Sequence, residues 1–216
     1  MIVVLLGPPG CGKGTQGELL AAALKVPKIS TGDVIRAAMK NGTPLGLKAK
    51  AFYDRGDLVP DALIMDIIRG CLSEPEQARG AVLDGVVRTT PQAEGLAEVL
   101  AGLGRTLDLV LMFQIADEEL VGRLSSRVVC DACQSPFSGR NAGELHAECL
   151  KTPKGHLVRR KDDEPDAIRN RLKVYHAQTA PVVAWYRTHN GPTVEIDARG
   201  TVNEVTARVM KAAKVS

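Results

Sequence analysis

Short apolar runs alternate with amphipathic stretches along the 216 residues of the chain. Residues 2–6 form an unbroken apolar run, and further apolar runs occupy 81–84, 107–113 and 193–196. Runs of this length are typical of buried strands, whereas the stretches between them have the three-to-four-residue apolar spacing of helices. Strands that alternate with helices predict a parallel sheet covered on both faces, which is an α/β fold.

Proline, serine, threonine and aspartate mark where several predicted helices begin, and we expect Asp117 to cap one of them. The residues expected on the inner side of the first helix are Leu19, Leu20, Ala23 and Leu24. The predicted helices cover 14–25, 62–72, 90–100 and 117–127, and others start at Val34, after Pro44, at Pro165 and near Val202.

Two segments do not follow this alternation of strands and helices. Residues 30–59 predict helices with no strand between them, and residues 128–160 lose all periodicity and are rich in Cys, Gly, Pro and Ser. We expect both segments to be lobes mounted on the α/β core.

Composition narrows the classes of function. The net charge is +3 and aromatic residues make up 3% of the chain, so neither a basic nucleic-acid surface nor a base-stacking platform is expected. The opening apolar run is too short for a signal peptide or a membrane span. Five cysteines, an odd number without a secretion signal, argue against a disulfide framework and favour the cytoplasm.

The first apolar run leads directly into a glycine-rich stretch at 7–13, GPPGCGK. Glycines allow backbone N–H groups to turn inward around an anion, and the helix that follows adds the positive end of its dipole. The spacing matches G-x-x-x-x-G-K, although Gly14 stands where Ser or Thr is usual and Thr15 comes one place later. A turn that only links strand and helix is the alternative, but motif, position and flanking pattern together favour a nucleotide phosphate site.

Asp84 ends a predicted strand, at the edge where α/β sheets bind ligands. Its carboxylate is suited to the water shell of a Mg²⁺ beside the phosphates, and a turn or cap residue is an equal alternative here. Gly85, Arg88 and Gln92 follow closely and indicate a second anionic ligand whose base is contacted by an amide.

Several arginines lie beside apolar helix positions. Arg123 and Arg127 are one helical turn apart, and Arg171 lies between Ile168 and Leu172. Burial of an arginine costs free energy unless an anion pairs with it, so these three favour an anionic substrate over a solvated surface.

Over nearly its whole length the sequence resembles the adenylate kinases in their long bacterial form. Any one shared motif is modest support, but the order and spacing of the motifs are specific, and GKGT is itself a family trait that accounts for Gly14. The matching motifs are GPPGCGKGTQ at 7–16, STGD at 30–33, Arg36, GDLVPD at 56–61, LDG--RTTPQAE at 83–94, RLSSR at 123–127, RRKDDEPDAIRNRL at 159–172 and TAPVVAWY at 179–186.

The resemblance implies a P-loop three-layer fold with a central parallel five-stranded sheet flanked by helices. Its core would comprise 1–29, 60–125 and 164–216, with a lobe that binds the nucleoside monophosphate (NMP) at 30–59 and a lid lobe at 126–163. It further implies reversible, Mg²⁺-dependent transfer of a phosphoryl group from ATP to AMP, giving two ADP. The enzyme would be a cytoplasmic monomer without nucleic-acid or membrane partners.

The family's site residues carry over to the matching positions of this sequence. ATP would contact Gly10, Cys11, Gly12, Lys13, Gly14, Thr15, Arg123, Pro136, Phe137 and Gly200. AMP would contact Thr31, Arg36, Asp57, Leu58, Val59, Gly85, Val86, Val87, Arg88, Gln92, Arg160 and Arg171. Lys13, Arg88, Arg127, Arg160 and Arg171 would be catalytic, and Asp33 and Asp84 would bind Mg²⁺ through water.

The sequence departs from the family pattern after Asp84, where Val86-Val87 replaces the usual Phe-Pro with its cis proline. A cis bond without proline costs about 3–4 kcal/mol. We therefore predict a trans bond before Val87 and a locally shifted AMP loop.

A second departure lies in the lid. Cys130, Cys133 and Cys149 suit Zn²⁺, but a structural zinc site normally has four ligands. Register with zinc-bearing relatives gives Thr152 the fourth place, whereas His146 is an alternative with plausible spacing. Structural Zn²⁺ in the lid is expected, with three cysteines that bind no metal as the alternative.

The sequence alone leaves two other functions open. One keeps the fold but uses another monophosphate, or GTP as the donor. The other is a nucleotide-dependent switch that binds nucleic acid through a zinc knuckle. The modest charge, the few aromatic residues and Arg171 on an apolar face count against the second.

Overall fold

The computed structural model describes residues 1–55, 57–189 and 192–215. Its strands are β1 (Ile2–Leu6), β2 (Lys28–Ser30), β3 (Ala81–Asp84), β4 (Leu109–Gln114), β5 (Val128–Cys130), β6 (Pro136–Phe137), β7 (Leu157–Val158) and β8 (Thr193–Asp197). Five of them form a wholly parallel sheet in the order β2-β3-β1-β4-β8. The predicted α/β fold with a central five-stranded parallel sheet is confirmed.

Helices connect these strands and cover the sheet. They are α1 (Lys13–Leu24), α2 (Thr31–Lys40), α3 (Pro44–Arg55), α4 (Asp61–Leu72), α5 (Thr90–Gly102), α6 (Asp117–Ser125), α7 (Pro165–Val174), α8 (Ala180–Thr188) and α9 (Val202–Ala212). Short 3₁₀ turns lie at Pro75–Gln77 and Lys161–Asp163, and a π turn at Tyr175–Thr179 joins α7 to α8.

The central strand β1 is buried on both faces because helices lie above and below it. Ile2, Val4 and Leu6 pack into the apolar layer that includes α4, α5 and α8. Val3 and Leu5 point the other way, into the layer that includes α1, α6 and α9. An unbroken apolar run therefore forms a strand here because each face has its own core.

The inner face of α1 differs from the prediction. Leu20 is buried and Leu24 partly so, but Leu19 and Ala23 are exposed, and the buried face also includes Gln16 and Gly17. A Cβ on Gly17 would lie 3.0 Å from Leu5 Cδ1, so this glycine allows α1 to approach β1 closely. Hydrophobic spacing therefore identified two of the four inner residues, and it missed the positions where a glycine and a glutamine are buried.

The predicted cap at Asp117 is also wrong. Asp117 is the first residue of α6, and Ala116 occupies the N-cap without a capping hydrogen bond from its side chain. Asp117, Glu118 and Glu119 instead place negative charge in the first turn, where the helix dipole favours it. The Asp117 carboxylate also pairs with His176 Nε2 at 2.7 Å.

Apart from Ser30 of β2, the two irregular segments add no residue to the five-stranded sheet. Helices α2 and α3 follow each other without a strand between them across 31–55, as predicted. Strands β6, β5 and β7 form a second, antiparallel sheet in that order. It encloses a small core of Val128, Cys130, Cys149 and Leu157. Among the described residues, no helix combines the length and apolarity that crossing a bilayer requires.

Tyr186 in α8 offers a test of the packing. Its side chain is buried and its hydroxyl has no hydrogen-bond partner among the described residues, and a buried hydroxyl without a partner costs roughly 1–3 kcal/mol. We expect Tyr186→Phe to raise Tm, by about 2–4 °C for each kcal/mol gained in a chain of this size, in a thermal melt followed by circular dichroism. Tyr175→Phe, at a half-buried position, should leave Tm unchanged, and a lower Tm for Tyr186→Phe would contradict this account.

Candidate active site

The glycine-rich loop between β1 and α1 presents an open helix N-terminus. Gly10 and Gly12 have φ values of +84° and +99°, which favour glycine. A Cβ on Gly10 would lie 2.8 Å from Leu124 Cγ, so the loop is packed tightly against α6. Gly12 is the N-cap of α1, and no side chain of the described residues caps this end. The first N–H groups of α1 thus remain available for an anion.

Lys13 places its charge at this loop. Its Nζ donates to the carbonyl oxygens of Gly7 and Pro8, both at 2.8 Å, and lies 3.5 Å from Cys11 Sγ. Cys11 is 1% exposed and belongs to the apolar core, so its side chain packs beneath the loop and only its backbone faces outward. The arrangement is that of a phosphate-binding loop.

Two carboxylates lie at the neighbouring strand ends. Asp84 ends β3 and pairs in register with Ser30 of β2, and Asp33 follows in the first turn of α2. The Asp84 Oδ2 atom lies 3.6 Å from where a Cβ on Gly14 would be, so it faces the loop. Burial raises the pKa of Asp33, but the charges of Arg36 and Lys28 outweigh this and leave its pKa below the ordinary value. This pair of acids suits a hydrated divalent cation.

A cavity of about 610 Å³ lies beside these acids. It is bounded by α2, α3 and the loop after β3. Of the residues predicted to contact AMP, those that line it are Thr31, Arg36, Asp57, Leu58, Val59, Gly85, Arg88, Gln92 and Arg171. Val86 and Val87 do not line it, because their side chains are buried in the apolar layer on one face of the sheet.

The loop after β3 directs Arg88 at this cavity. Gly85 has a φ of +65°, and its carbonyl oxygen accepts from Arg88 Nε at 3.2 Å and from Thr31 Oγ1 at 2.7 Å. A Cβ on Gly85 would lie 2.9 Å from Arg88 Nη2. Within the described chain, the only cis peptide bond is Thr152–Pro153, so the predicted trans bond before Val87 is confirmed.

Gln92 holds the other side of this loop. Its Oε1 accepts from the Arg88 backbone N–H at 2.7 Å, and its Nε2 donates to Asp61 Oδ1 at 2.7 Å. The residue is 1% exposed. Because the amide is engaged internally at both ends, Gln92 positions the Arg88 loop, and the contact of its amide with a base stays a prediction.

Arg127 and Arg171 are anchored on two buried aspartates. Arg127 binds both carboxylate oxygens of Asp163, at 2.6 and 2.7 Å. Arg171 Nη1 lies 2.9 Å from Asp163 Oδ1 and 3.0 Å from Asp162 Oδ2. Such bidentate and shared contacts fix the direction of guanidinium groups.

Arg88 and Arg160 lack such anchors. Neither forms an ion pair with the residues that the structure describes, and Arg160 Nε is buried without a hydrogen-bond partner. Burial, together with the charges of Arg36 and Arg127, lowers the pKa of Arg160 to about 10. Burial, reinforced by Arg171, also lowers the pKa of Arg88. Two guanidinium groups of the site thus have no carboxylate partner among the described residues, which favours an anionic ligand.

Two predicted ATP contacts, Arg123 and Gly200, lie close to each other. Arg123 donates from Nη2 to the carbonyl oxygen of Ala198 at 3.2 Å, next to the turn at Gly200. Gly200 has a φ of +98°, and a Cβ there would lie 2.5 Å from Glu204 Oε2. The backbone after β8 thus lies beside Arg123.

Pro136 and Phe137 form β6, at the edge of the lid sheet. The Phe137 ring packs against His146, with ring centroids 4.7 Å apart, and lies 5.4 Å below the Arg140 guanidinium. The Phe137 side chain therefore packs against the lid core, whereas Pro136 is exposed.

Four lid residues bring three sulfurs and a ring nitrogen together. The donor atoms of Cys130, Cys133, His146 and Cys149 all lie within 4.8 Å of one another. Cys130 and Cys149 Sγ are 3.8 Å apart, and Cys133 Sγ is 3.4 Å from His146 Nδ1. The Gly155 backbone N–H lowers the pKa of the Cys149 thiol, while burial raises that of Cys130. Of the two candidates for the fourth position, His146 lies with the cysteines, whereas Thr152 is exposed, so the structure favours His146.

Sequence reasoning did not identify several polar residues of this site. Asp162 and Asp163 stand inside the motif RRKDDEPDAIRNRL, and an acidic pair between arginines was a usable signal for anchoring carboxylates. Tyr53 also lines the cavity and donates from its hydroxyl to Asp162 Oδ1 at 2.9 Å. No local pattern marks it, because the contact spans 109 residues of sequence.

Comparison of the sequence with known proteins identifies relatives that match nearly the whole chain. A profile of the family described as adenylate kinase matches residues 5–191. A protein of Gemmatimonas aurantiaca named adenylate kinase is 61% identical over 216 residues, covering all of both chains. Adenylate kinases of Methanocella arvoryzae and of a Geobacter species are 45% and 42% identical, and each alignment covers 98% of this chain and 98–99% of the relative.

Proposed function

This chain belongs to the adenylate kinase family, and on that premise we propose which of its residues carry the transfer of a phosphoryl group from ATP to AMP. The observation that carries the proposal is the position of the unanchored guanidinium groups. Arg88 lines the 610 Å³ cavity, and Arg160 lies with Arg127 in the neighbouring 320 Å³ cavity. A phosphoryl group in transit is an anion that both can neutralise.

Each nucleotide has its own set of contacts in this account. The P-loop backbone from Gly10 to Thr15 and Lys13 bind the ATP phosphates, with Arg123 and the Gly200 backbone near the base. AMP occupies the cavity, where Arg36 and Arg88 bind its phosphate and Thr31 lies near its base. The reacting oxygens then meet between the P-loop and the arginines.

Catalysis requires no nucleophilic side chain. Charge spread over the transferred group is stabilised by Lys13, Arg88, Arg127, Arg160 and Arg171, which the protein orients before the reaction. Asp84 faces the P-loop and Asp33 lies in the first turn of α2, and both would hold Mg²⁺ through its water shell. When bound, Mg²⁺ would supply positive charge that neutralises the phosphates.

We further assign the segments 30–59 and 126–163 to an NMP lobe and a lid that close over the nucleotides. In the described structure the two segments touch, because Lys40 Nζ donates to the Asp131 carbonyl oxygen at 3.3 Å. Closure excludes water and so limits hydrolysis of ATP.

Structural Zn²⁺ in the lid is part of the proposal. Zn–S bonds of about 2.3 Å and Zn–N bonds of about 2.0–2.1 Å place tetrahedral donors about 3.8 Å (S···S) and 3.6 Å (S···N) apart. The cluster has 3.8 Å between two of its sulfurs and 3.4 Å between a sulfur and the ring nitrogen. Glu148 Oε2 lies 3.8 Å from His146 Nε2, which is beyond hydrogen-bond distance.

Zinc content tests this assignment. The unaltered protein should contain about one zinc per chain, as a closed four-ligand site requires. His146→Ala should lose most of the metal and lower Tm by several degrees, measured by elemental analysis and thermal melting. Thr152→Ala is the matched control and should keep both. Full zinc retention in His146→Ala, or its loss in Thr152→Ala, would contradict the assignment.

We propose that the enzyme acts as a monomer in the cytoplasm. All five cysteines are free thiols, which suits a reducing compartment. Light scattering coupled to size-exclusion chromatography tests the oligomeric state.

The substrate assignment is tested by a coupled assay of ADP formation with ATP, Mg²⁺ and each nucleoside monophosphate in turn. Activity with AMP far above that with CMP, GMP or UMP is expected. Preference for another monophosphate, or for GTP as the donor, would keep the fold and overturn the substrate. Absence of turnover together with salt-sensitive binding of RNA would favour the nucleic-acid switch.

A further inference from the structure

Tyr53 connects the two halves of the site through its hydroxyl. The residue lies in α3, and its hydroxyl donates to Asp162 Oδ1 in the 3₁₀ turn Lys161–Asp163 at 2.9 Å. The same oxygen accepts from Arg36 Nη1 at 3.3 Å. The hydroxyl is therefore satisfied as donor and as acceptor, by one charged partner on each side.

These partners belong to one continuous network of charges. Arg36 pairs with Asp33 on the side of the cavity. Asp162 is 4% exposed, its Oδ2 forms an ion pair with Arg171 Nη1 at 3.0 Å, and its carbonyl oxygen accepts from the same Nη1 at 2.8 Å. Tyr53 is thus the neutral bridge between a cation that lines the AMP cavity and an anion that anchors a catalytic arginine.

We propose that Tyr53 is a positioning residue that couples the binding of AMP to the closure of the lid. This inference rests on the proposed placement of AMP in the 610 Å³ cavity, which Arg36, Tyr53 and Asp162 all line. A nucleotide that orders Arg36 also fixes the Tyr53 hydroxyl, and the hydroxyl then holds Asp162 and Arg171 in the closed position. Each nucleotide therefore favours the conformation that the other one needs, which is a coupling between the sites.

A second contact holds the interface between α3 and α7, and it does not involve the Tyr53 hydroxyl. Asn170 in α7 donates from Nδ2 to the Arg55 carbonyl oxygen and to Asp57 Oδ1, both at 2.8 Å. Since this contact survives in a Tyr53→Phe variant, the interface should still form. The variant isolates what the hydroxyl contributes.

The test measures the affinity for AMP by calorimetry, in the presence and absence of a non-hydrolysable ATP analogue. In the unaltered protein the analogue should tighten AMP binding. In Tyr53→Phe this tightening should fall by roughly tenfold, the size of one hydrogen bond to a charged group. KM for AMP should rise in parallel, with an unchanged Tm. Tyr175→Phe, outside the network, is the matched control and should behave like the unaltered protein.

Two outcomes would overturn the inference. One is a Tyr53→Phe variant that keeps the full coupling, which would assign closure to Asn170 and the remaining contacts. The other is a loss of AMP affinity that is equal with and without the analogue, which would make Tyr53 a contact residue only. Failure of the proposed function can be told apart from failure of this inference. If the proposed function is wrong, the unaltered protein will form no ADP from AMP.

Discussion

Replacement of Arg88 by alanine is expected to lower kcat/KM for AMP by about a thousandfold, at the lower end of what a phosphoryl-binding arginine contributes. Arg88 forms no ion pair among the described residues, although its surroundings lower its pKa. We therefore expect the phosphate of AMP to be the ion-pair partner of Arg88. The loss should appear in both kcat and KM, because the charge acts on the bound phosphate and on the transition state. Steady-state kinetics with AMP varied at saturating ATP measures it.

Two variants make this test specific. Arg88→Lys keeps the charge but not the planar fork, so it should recover only part of the loss. Arg69→Ala removes an exposed arginine whose nearest acid, Asp66, is 3.8 Å away, and it should leave the kinetics unchanged. An Arg88→Ala enzyme within tenfold of the unaltered one would show that Arg88 does not bind the monophosphate.

Replacement of Lys13 by glutamine should lower kcat by roughly 10²–10³-fold, as the loss of one preorganised donor to a developing charge does elsewhere. In the structure Nζ is held by the carbonyl oxygens of Gly7 and Pro8, so the charge sits directly at the loop that receives the phosphates. Glutamine can replace part of the hydrogen bonding but none of the charge. Single-turnover measurements of ADP formation separate this effect from nucleotide binding.

Lys211→Gln is the matched control for this variant. Lys211 is an exposed residue near the end of α9, and its loss should change neither kcat nor KM. If Lys13→Gln has normal single-turnover rates, the P-loop acts through its backbone alone and the proposed role of Lys13 is wrong.

Local patterns in the sequence predicted the parts of the site that neighbouring residues build. The strand at 81–84 and its terminal Asp84 follow from a short apolar run with a polar end, and the structure has both. The P-loop follows from glycines placed where the backbone must reach positive φ, which only a few residue types tolerate. Such features are predictable because the cause lies within a few residues of the effect.

Features that depend on distant partners were not predictable in this way. Gln92 was expected to contact a base, yet its amide holds the Arg88 backbone and Asp61, which lies 31 residues earlier. The fourth residue of the lid cluster also depended on folding, because only the antiparallel sheet brings His146 to Cys133. The bridge from Tyr53 to Asp162 has the same origin. Hydrophobic periodicity indicates which positions are buried, but it does not indicate which polar groups contact each other.

The central claim is that two nucleotides bind to separate sets of residues on one chain. Calorimetric titration of AMP and of ATP, each alone, into Arg88→Ala and Lys13→Gln tests it most directly. Arg88→Ala should bind ATP normally and AMP at least tenfold more weakly, and Lys13→Gln should show the reverse, as expected for the loss of one charged contact. If either variant weakens both nucleotides equally, the two sets of residues do not form separate sites and the account is contradicted.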